Sequence, residues 1–586
     1  MAHQMDGQPF ILPWASFAEF YESRFREPAV SGQNLLSYYD DERNLHRIYT
    51  YAEFDSQVRT VASSMQELFG VRRGDRIATV LFNHDQTVFI YFAAWLSGAA
   101  VVPINAEEPL EKKRYILEHS EASVCFCWQD YADEIGSLLA EIDTLALVVS
   151  VGDETHRKDI RGQGGHDLTL PRGARRSTLP PRACQDRLLV PKDGAFSPGQ
   201  HETGQPGLQD EAVIVYTSGT TGPPKGVILT AENLLMDADG ITAWHGFGTR
   251  DRLMCVLPIH HVNGTIVTLL TPFYCQGGMV LNRKFKTSSF WRRIHEEEVT
   301  CVSVVPTLLE FLLEANEDLA PYRLDRFKGL ICGAGPLLKE TAARFEDRFG
   351  FPIRHGYGLS ETTCYSSFLP NDLSAPEHRR WLTGYDCPSI GLPIRHNEMA
   401  ILDARGQEVA EGNRGEICIR GRTVCSGYFK RPDANEAAFR DGWFRSGDEG
   451  FCIGDEHGRP FFFISGRLKE LIIRGGVNIS PLEIDEVLKG HPAVKFAMAI
   501  PFENRFYGEE IAAYIVPREG HEPTESLLLE FCRSRLAFAK RPKVILFGRE
   551  VPYTATGKPK RLELKNMMAA ALAQYRDVQF KERPPR

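Results

Sequence analysis

The sequence predicts an α/β fold, with a large N-terminal domain built from several α/β subdomains and a small α+β C-terminal domain. Apolar strand-like runs such as AVIVY (212–216), GLICGAG (329–335) and EMAILD (398–403) alternate with helical stretches such as SSFWRRIHEEE (288–298) and KETAARFEDRFG (339–350). Strands that alternate with helices indicate layered α/β packing. A chain of 586 residues also exceeds what one hydrophobic core usually holds, so more than one domain is expected.

Composition and charge indicate a cytoplasmic protein without stable membrane insertion. The formal net charge of -9 gives no reason to expect nucleic acid or an anionic membrane as a partner. The longest apolar run (87–104) is long enough to span a bilayer, but Ser97 and Gly98 interrupt it and Pro103 ends it, so we expect a buried helix, a turn at Gly98 and a core strand. The N-terminus lacks the regions of a signal peptide, and the 13 cysteines lack zinc-site spacing, which favours reduced thiols.

Two shifts in composition suggest how the chain is divided. Residues 155–208 are rich in Gly, Pro, Arg and Gln and have little apolar periodicity, which predicts a flexible surface insertion. A basic docking site for a partner is the alternative function of this segment. A second shift near residue 465 predicts an N-terminal domain over 1–468 and a C-terminal domain over 469–586, with strands in HPAVKFAMAIP and EIAAYIVPRE and a helix in TESLLLEFCRSRL.

The segment YTSGTTGPPKGV (216–227) has the character of a phosphate-binding loop. It follows a predicted strand directly, and its glycines allow successive backbone N–H groups to face an anion. Hydroxyl donors and one lysine add to this. It is not a Walker loop, because Lys225 is preceded by proline and followed by glycine. The predicted phosphate-contacting residues are Thr217, Ser218, Gly219, Thr220, Thr221, Gly222 and Lys225.

This loop resembles the signature loop of the acyl-adenylate-forming superfamily, which includes acyl-CoA synthetases, peptide-synthetase adenylation domains and luciferases. The resemblance covers nearly the whole chain except the insertion, and it rests on several motifs in the family's order. It implies an AMP-forming ligase that uses ATP, Mg²⁺ and coenzyme A to convert a carboxylic acid into an acyl thioester. It also implies that the small C-terminal domain is mobile.

Motifs in the large domain match the family's substrate sites. LPIHHVNG (257–264) resembles the segment that lines the acyl pocket, which places His260, His261 and Asn263 there and makes His261 a catalytic candidate. Amino-acid activators of the family carry an aspartate in this segment, and its absence implies an acid without an α-amino group. Gly333, Ala334 and Gly335 match the turn at adenine. In HGYGLSETT (355–363), Tyr357 matches the residue that stacks on adenine, Gly358 and Ser360 belong to the same nucleotide motif, and Glu361 matches the magnesium ligand.

The remaining motifs match residues at the junction and in the small domain. Asp448, in WFRSGDEG (443–450), matches the acid that binds both ribose hydroxyls, and a carboxylate suits a vicinal diol because it offers two acceptor oxygens. Arg467 matches a nucleotide-contacting arginine, and Lys469 matches the hinge. Gly475 and Gly476 match the loop along the pantetheine arm of coenzyme A, although a plain hairpin turn would have the same residues. Lys558, in TATGKPKR (554–561), matches the catalytic lysine.

Together the motifs imply two half-reactions at one site. The carboxylate first attacks the α-phosphate of ATP and releases pyrophosphate, and a thiol then attacks the acyl-adenylate and releases AMP. Three alternatives stay open at this stage: an acyl carrier protein as the acceptor, a binding protein without turnover, and a luciferase-type oxidation. The sequence identifies neither the acid nor the oligomeric state.

Overall fold

The computed structural model describes residues 10–26, 30–152, 207–217, 223–553 and 559–580. The predicted insertion at 155–208 therefore lies outside the described residues except for its last two. Within the described ranges we find no helix with the length and apolar character that a membrane span requires.

The described strands are numbered in chain order. They are β1 (Asn34–Asp40), β2 (Leu45–Thr50), β3 (Arg76–Leu81), β4 (Ala100–Asn105), β5 (Val124–Trp128), β6 (Leu147–Val151), β7 (Glu211–Thr217), β8 (Lys225–Thr230), β9 (Arg252–Cys255), β10 (Gly278–Asn282), β11 (Cys301–Val304), β12 (Leu330–Cys332), β13 (Ile353–Tyr357), β14 (Ser367–Phe368), β15 (Ser389–Pro393), β16 (Asn397–Leu402), β17 (Gly415–Gly421), β18 (Gly427–Tyr428), β19 (Phe439–Arg440), β20 (Trp443–Gly454), β21 (Pro460–Arg467), β22 (Ile472–Arg474), β23 (Val477–Ile479), β24 (Val494–Asn504), β25 (Gly508–Pro517) and β26 (Val544–Phe547).

The described α-helices are numbered in the same way. They are α1 (Phe17–Ser23), α2 (Tyr51–Glu67), α3 (Asp85–Leu96), α4 (Leu110–Ser120), α5 (Ala132–Ser137), α6 (Ala231–His245), α7 (Thr271–Tyr274), α8 (Thr287–Glu296), α9 (Pro306–Ala315), α10 (Lys339–Phe349), α11 (Ala375–Thr383), α12 (Pro432–Ala438), α13 (Pro481–Lys489), α14 (Glu525–Arg533) and α15 (Arg561–Leu572). A π-helical segment, Asn263–Leu270, precedes α7.

These elements form three sheets, two in the large domain and one in the small domain. A seven-stranded sheet has the order β18-β8-β7-β4-β3-β5-β6, and a fourteen-stranded sheet runs from β16 to β2 with a parallel centre of β13, β12, β11, β9, β10 and β1. The small domain contains the five-stranded sheet β23-β22-β25-β24, with β26 beside β25. This confirms the predicted α/β class with a large and a small domain.

The apolar run at 87–104 folds as predicted, into a buried helix, a turn and a core strand. Helix α3 is buried almost all round because it packs in the largest apolar cluster of the large domain. Gly98 follows it with φ +71, a conformation that glycine adopts at little cost, and β4 then enters the seven-stranded sheet. Residues 87–104 therefore belong to the hydrophobic core, and their apolar character reflects burial of α3 and β4 on every side.

Candidate active site

The phosphate-loop motif connects two paired strands. Strands β7 and β8 are antiparallel, with Tyr216 opposite Gly226 and Thr217 opposite Lys225. The motif thus spans the connection of a β-hairpin, and Thr217 and Lys225 lie at its two ends. The intervening Ser218, Gly219, Thr220, Thr221 and Gly222 lie outside the described residues, so their predicted contacts with phosphate stay predictions.

Helix α4 holds both ends of this connection. The Tyr115 hydroxyl donates to the carbonyl oxygen of Pro224 at 3.2 Å, and His119 Nδ1 lies 2.7 Å from the Tyr216 hydroxyl oxygen. Burial raises the pKa of Tyr216, so this phenol stays neutral. These contacts fix the strand ends that carry the loop, which is the preorganisation that an anion site needs.

Tyr428 joins the lysine of the loop to the predicted magnesium ligand. The Lys225 Nζ atom lies 4.6 Å from the ring centroid of Tyr428, and the Tyr428 hydroxyl donates to Glu361 Oε1 at 2.9 Å. Burial lowers the pKa of Lys225, and the positive charge of Lys469 lowers it further. Hence the ring of Tyr428 contacts a cation and its hydroxyl contacts a carboxylate, and Lys469 is close enough to affect the cation.

Most of the predicted adenine and ribose residues line a cavity of about 230 Å³, which we call the nucleotide cavity after its predicted ligand; Gly333 is not among its described lining residues. The Tyr357 hydroxyl donates to Asp448 Oδ2 at 2.6 Å, and Arg467 Nε lies 2.7 Å from Asp448 Oδ1. Antiparallel pairing of β20 with β21 sets this arrangement, because Asp448 lies opposite Arg467 in the register. The cavity wall includes Ala334, Gly335, Tyr357, Gly358, Asp448 and Arg467.

The glycines at these strand ends are required by close packing. A Cβ atom on Gly358 would lie 1.8 Å from the carbonyl oxygen of Cys364, and one on Gly333 would lie 2.7 Å from the carbonyl oxygen of Gly356. Ser360 begins the 3-10 turn Ser360–Thr362, which also carries Glu361. The motif thus places Tyr357 at the end of β13 and Glu361 in the short turn that follows it.

The predicted acyl-pocket residues lie at the start of the π-helical segment. The ring centroids of His260 and His261 are 4.4 Å apart. Burial lowers the pKa of His260 well below its usual value, and its Nε2 atom is buried without a hydrogen-bond partner among the described residues. Asn263 is buried, and its amide bonds to both Tyr365 and Ser303. The three predicted residues are therefore close to one another, and His260 is a neutral imidazole.

The small domain supplies one wall of the nucleotide cavity. Pro481, Glu486, Pro559 and Arg561 line it together with the large-domain residues. Lys558 itself lies outside the described residues, but its neighbour Pro559 is at the cavity. Lys469 lies in the 3-10 turn Leu468–Glu470, between the last strand of the large domain and β22.

Gly475 and Gly476 form the turn between β22 and β23. Their φ angles are +56 and +83, which suit the tight hairpin turn that the alternative interpretation expected. Neither is among the residues described at the nucleotide cavity. Beside the turn, the side chains of Ile473 and Val477 are 54% and 53% exposed. The turn is thus present, and its role toward pantetheine stays a prediction.

Helix α13 of the small domain docks on α9 and α10 through an ionic contact that we call the latch, formed by Lys489, Glu310 and Thr341. Lys489 Nζ lies 2.6 Å from Glu310 Oε1 and 3.2 Å from Thr341 Oγ1, and Thr341 donates to the same carboxylate. Next to it, Glu486 Oε1 accepts from the Lys339 backbone N–H at 2.8 Å. The latch holds the small domain in the orientation that brings Pro559 to the cavity.

Several of these residues were missed from the sequence. Tyr428 is 67 residues from Glu361, and no local spacing links the two. Tyr365 lies only two residues beyond the HGYGLSETT motif, so a motif extended by two residues would have included it. His119 had no signal, since a single histidine at the end of an amphipathic helix usually faces solvent.

Comparison with known proteins identifies the family. The family model described as AMP-binding enzyme matches residues 27–429, and the model described as AMP-binding enzyme C-terminal domain matches residues 483–558. The sulfoacetate–CoA ligase of Cupriavidus necator is 34% identical over 85% of this chain and 88% of its own length. The oxalate–CoA ligase of Arabidopsis thaliana is 30% identical over 87% of this chain and 92% of its own.

Solved structures have the same fold. ATP-bound MatB from Rhodopseudomonas palustris superposes with a TM-score of 0.76 at 24% identity, over 94% of this chain and 99% of that chain. The o-succinylbenzoate-CoA synthetase MenE of Bacillus subtilis, in complex with its acyl-adenylate intermediate, superposes with a TM-score of 0.73 at 26% identity, over 96% and 99%. The chain therefore belongs to the AMP-binding enzyme family, the acyl-adenylate-forming superfamily that its motifs resemble.

Proposed function

We propose that the protein is an ATP-dependent carboxylate–CoA ligase, which forms an acyl-adenylate and then an acyl thioester. The observation that carries the proposal is the shared nucleotide cavity, where Tyr357, Asp448 and Arg467 face the small-domain residue Pro559, the neighbour of Lys558. The named relatives support coenzyme A as the acceptor, because the two reported above are CoA ligases.

The described side chains suit the parts of ATP. The Tyr357 ring offers a flat apolar face for adenine, and Asp448 offers carboxylate oxygens to the ribose hydroxyls. Tyr357 and Arg467 hold that carboxylate in place, so its orientation is set before nucleotide binds. Lys225, at the end of the phosphate hairpin, supplies positive charge to the outer phosphates.

Glu361 would hold Mg²⁺, and the donor set fits that ion. Among the described residues no group of three or more metal-ligating side chains forms, so one carboxylate would act together with phosphate oxygens and water. When bound, the ion neutralises phosphate charge during attack by the carboxylate. The Tyr428 hydroxyl donates to Glu361 Oε1, which leaves Glu361 Oε2 for the ion, while Lys225 lies over the ring of the same tyrosine.

The two half-reactions would use two orientations of the small domain. In the orientation seen, Pro559 is at the cavity, so Lys558 would approach the reacting carboxylate and α-phosphate during adenylation. Rotation about Lys469 would withdraw Lys558 and bring Gly475 and Gly476 to the site for attack by the thiol. The proposed limits of the two domains, 1–468 and 469–586, place this pivot at their junction.

An assay of the purified chain with ATP, magnesium and a panel of carboxylic acids tests the proposal. We expect acid-dependent release of pyrophosphate, and release of AMP with thioester formation after coenzyme A is added. Adenylation without any thioester on free coenzyme A would point to an acyl carrier protein as the acceptor instead. Failure of every acid to release pyrophosphate would contradict the proposed function. A cytoplasmic location is part of the proposal, and the described cysteines, which are all free thiols, support it.

A further inference from the structure

Residues 423–429 contact both the strand that begins with Lys225 and the turn that carries Glu361, and we call them the bridging segment. Strand β18 lies within this segment and pairs with β8, whose first residue is Lys225. Just after β18, the Phe429 N–H donates to the Gly226 carbonyl oxygen at 2.7 Å, directly beside that lysine. The bridging segment is therefore fixed to the strand that carries the phosphate lysine.

The same segment holds the backbone of the Glu361 turn at two points. The Cys425 N–H donates to the Glu361 carbonyl oxygen at 2.8 Å, and the Thr363 hydroxyl donates to the Thr423 carbonyl oxygen at 2.7 Å. Thr363 and Thr423 have no exposed surface, so water does not compete for the bond between them. Removing the Thr363 hydroxyl would thus cost a buried hydrogen bond at the residue that follows the Glu361 turn.

Thr363 has a backbone conformation that needs support from its surroundings. Its φ is +65 and its ψ is -60, and the Cys364 N–H donates to the Thr362 carbonyl oxygen at 2.8 Å across it. This is a γ-turn with positive φ, which is rare and strained, and a β-branched residue at positive φ is itself uncommon. Strain of this kind persists only where neighbouring contacts hold it, and the two bonds to the bridging segment are such contacts.

Tyr428 fixes the side chain of Glu361 as well. Its hydroxyl donates to Glu361 Oε1 at 2.9 Å, and the tyrosine is only 6% exposed. Its backbone is also held, because the Asn435 side chain accepts from the Tyr428 N–H at 2.7 Å and donates to the Tyr428 carbonyl oxygen at 3.1 Å. A carboxylate that bonds to a fixed donor through one oxygen has fewer orientations to lose when its other oxygen binds a metal ion.

We propose that the bridging segment orients Glu361 for magnesium, and that Tyr428 and Thr363 are the positioning residues through which it acts. The inference rests on the proposed ligase function, because its ligand is ATP with magnesium. Tyr428 contacts Glu361 through its hydroxyl and Lys225 through its ring. Loss of the hydroxyl alone should therefore affect the metal and spare the binding of the phosphates.

Calorimetry of ATP binding to the full-length chain, with magnesium and with a chelator, tests the inference. The ratio of the two Kd values is the magnesium gain. Tyr428→Phe should lower this gain about tenfold or more and leave the Kd for metal-free ATP within about twofold. Tyr428→Leu also removes the ring over Lys225, so it should weaken binding of metal-free ATP as well.

A second pair of variants tests the backbone contact independently. Thr363→Val removes the hydroxyl that bonds to Thr423 and should lower the magnesium gain by roughly 3- to 10-fold, whereas Thr363→Ser keeps the hydroxyl and should keep the gain within about twofold. The matched control is Tyr274→Phe, because the Tyr274 hydroxyl donates at 2.8 Å to a different carboxylate, that of Asp239. This control should leave the gain unchanged.

The outcomes separate this inference from the ligase function. An unchanged or larger magnesium gain in Tyr428→Phe or in Thr363→Val would remove that residue from the proposed role, and in both would overturn the inference. An equal loss in Tyr274→Phe, or a wild-type chain that binds ATP equally well without magnesium, would also overturn it. The ligase function is judged separately, by acid-dependent release of pyrophosphate from the wild-type chain.

Discussion

The latch between the two domains allows a sharp test of the proposal that the orientation of the small domain selects the half-reaction. Replacing Lys489 with methionine keeps the aliphatic stem and removes the charge that contacts Glu310 at 2.6 Å. The two side chains are only 14% and 23% exposed, so water and salt screen the pair less than they would on the surface. Thr341 donates to the same carboxylate, and Arg344 lies 3.9 Å from its other oxygen, so Glu310 would keep part of its charge compensation.

The size of the effect follows from the contacts. Hydrogen bonds to charged groups contribute about 1.5 to 3 kcal/mol, and the partial exposure of Glu310 argues for the lower end, about 1.5 to 2 kcal/mol. At about 1.4 kcal/mol for each factor of ten, the balance between the two orientations should move by roughly 10- to 30-fold. We therefore expect Lys489→Met to lower adenylation relative to thioester formation from supplied acyl-adenylate, with the ratio changing by up to that factor.

A second lysine of the small domain provides the matched control. Lys495 contacts Glu314, also on α9, at 3.0 Å, but these side chains are 52% and 45% exposed. Exposed pairs of this kind contribute about 0 to 1 kcal/mol, so Lys495→Met should change the ratio by less than about fivefold. The double variant Lys489→Met with Glu310→Gln should be no worse than either single change. Equal losses in both half-reactions, or an equal shift in the control, would refute the role of the latch.

Three further predictions concern single residues. Lys558→Ala should slow adenylation by about 100-fold or more and leave thioester formation from supplied acyl-adenylate within about tenfold, and equal slowing of the two steps would contradict the proposed division. Asp448→Asn should weaken ATP binding by roughly 10- to 100-fold in calorimetry, because Tyr357 and Arg467 lose the buried carboxylate that they contact. Unchanged affinity would show that Asp448 does not bind the nucleotide. Burial raises the pKa of Glu486 from 4.5 to about 7, so its contribution to stability is complete below pH 4.5 and is lost as pH rises toward 7. The free energy of unfolding should fall over that window by at most about 3 kcal/mol, and Glu486→Gln should lose this part of the pH dependence, which unfolding at several pH values would reveal.

The sequence predicted those features of the fold that depend on patterns within a short segment of the chain. The alternation of apolar strands with amphipathic helices predicted the α/β class, and Gly98 correctly marked the turn between α3 and β4. Pro103 was wrongly expected to end the run, because it lies inside β4, opposite Thr79. Asp448 and Arg467 could be placed together only through the resemblance, since the antiparallel register that joins them is a property of the sheet.

Contacts made across the fold could not be predicted. Lys489 and Glu310 are 179 residues apart, and each looks like an ordinary charged residue on a helix surface. Tyr428 likewise gains its position between Lys225 and Glu361 only because β18 pairs with β8. Such contacts depend on which surfaces pack together, and neither periodicity nor spacing within one segment contains that information.

The exposed side chains of Ile473 and Val477 beside the Gly475–Gly476 turn have a thermodynamic consequence. The orientation seen leaves this apolar surface in water and contains the ionic latch, whereas the rotation proposed above would break the latch and bring the turn, with its apolar side chains, to the large domain. Dissolved salt screens ionic contacts, and strongly hydrated anions such as sulfate favour apolar burial. Sulfate would therefore weaken the latch and favour burial of Ile473 and Val477, and both effects favour the proposed thiol-accepting arrangement. The salt in the assay buffer would then influence which half-reaction limits turnover.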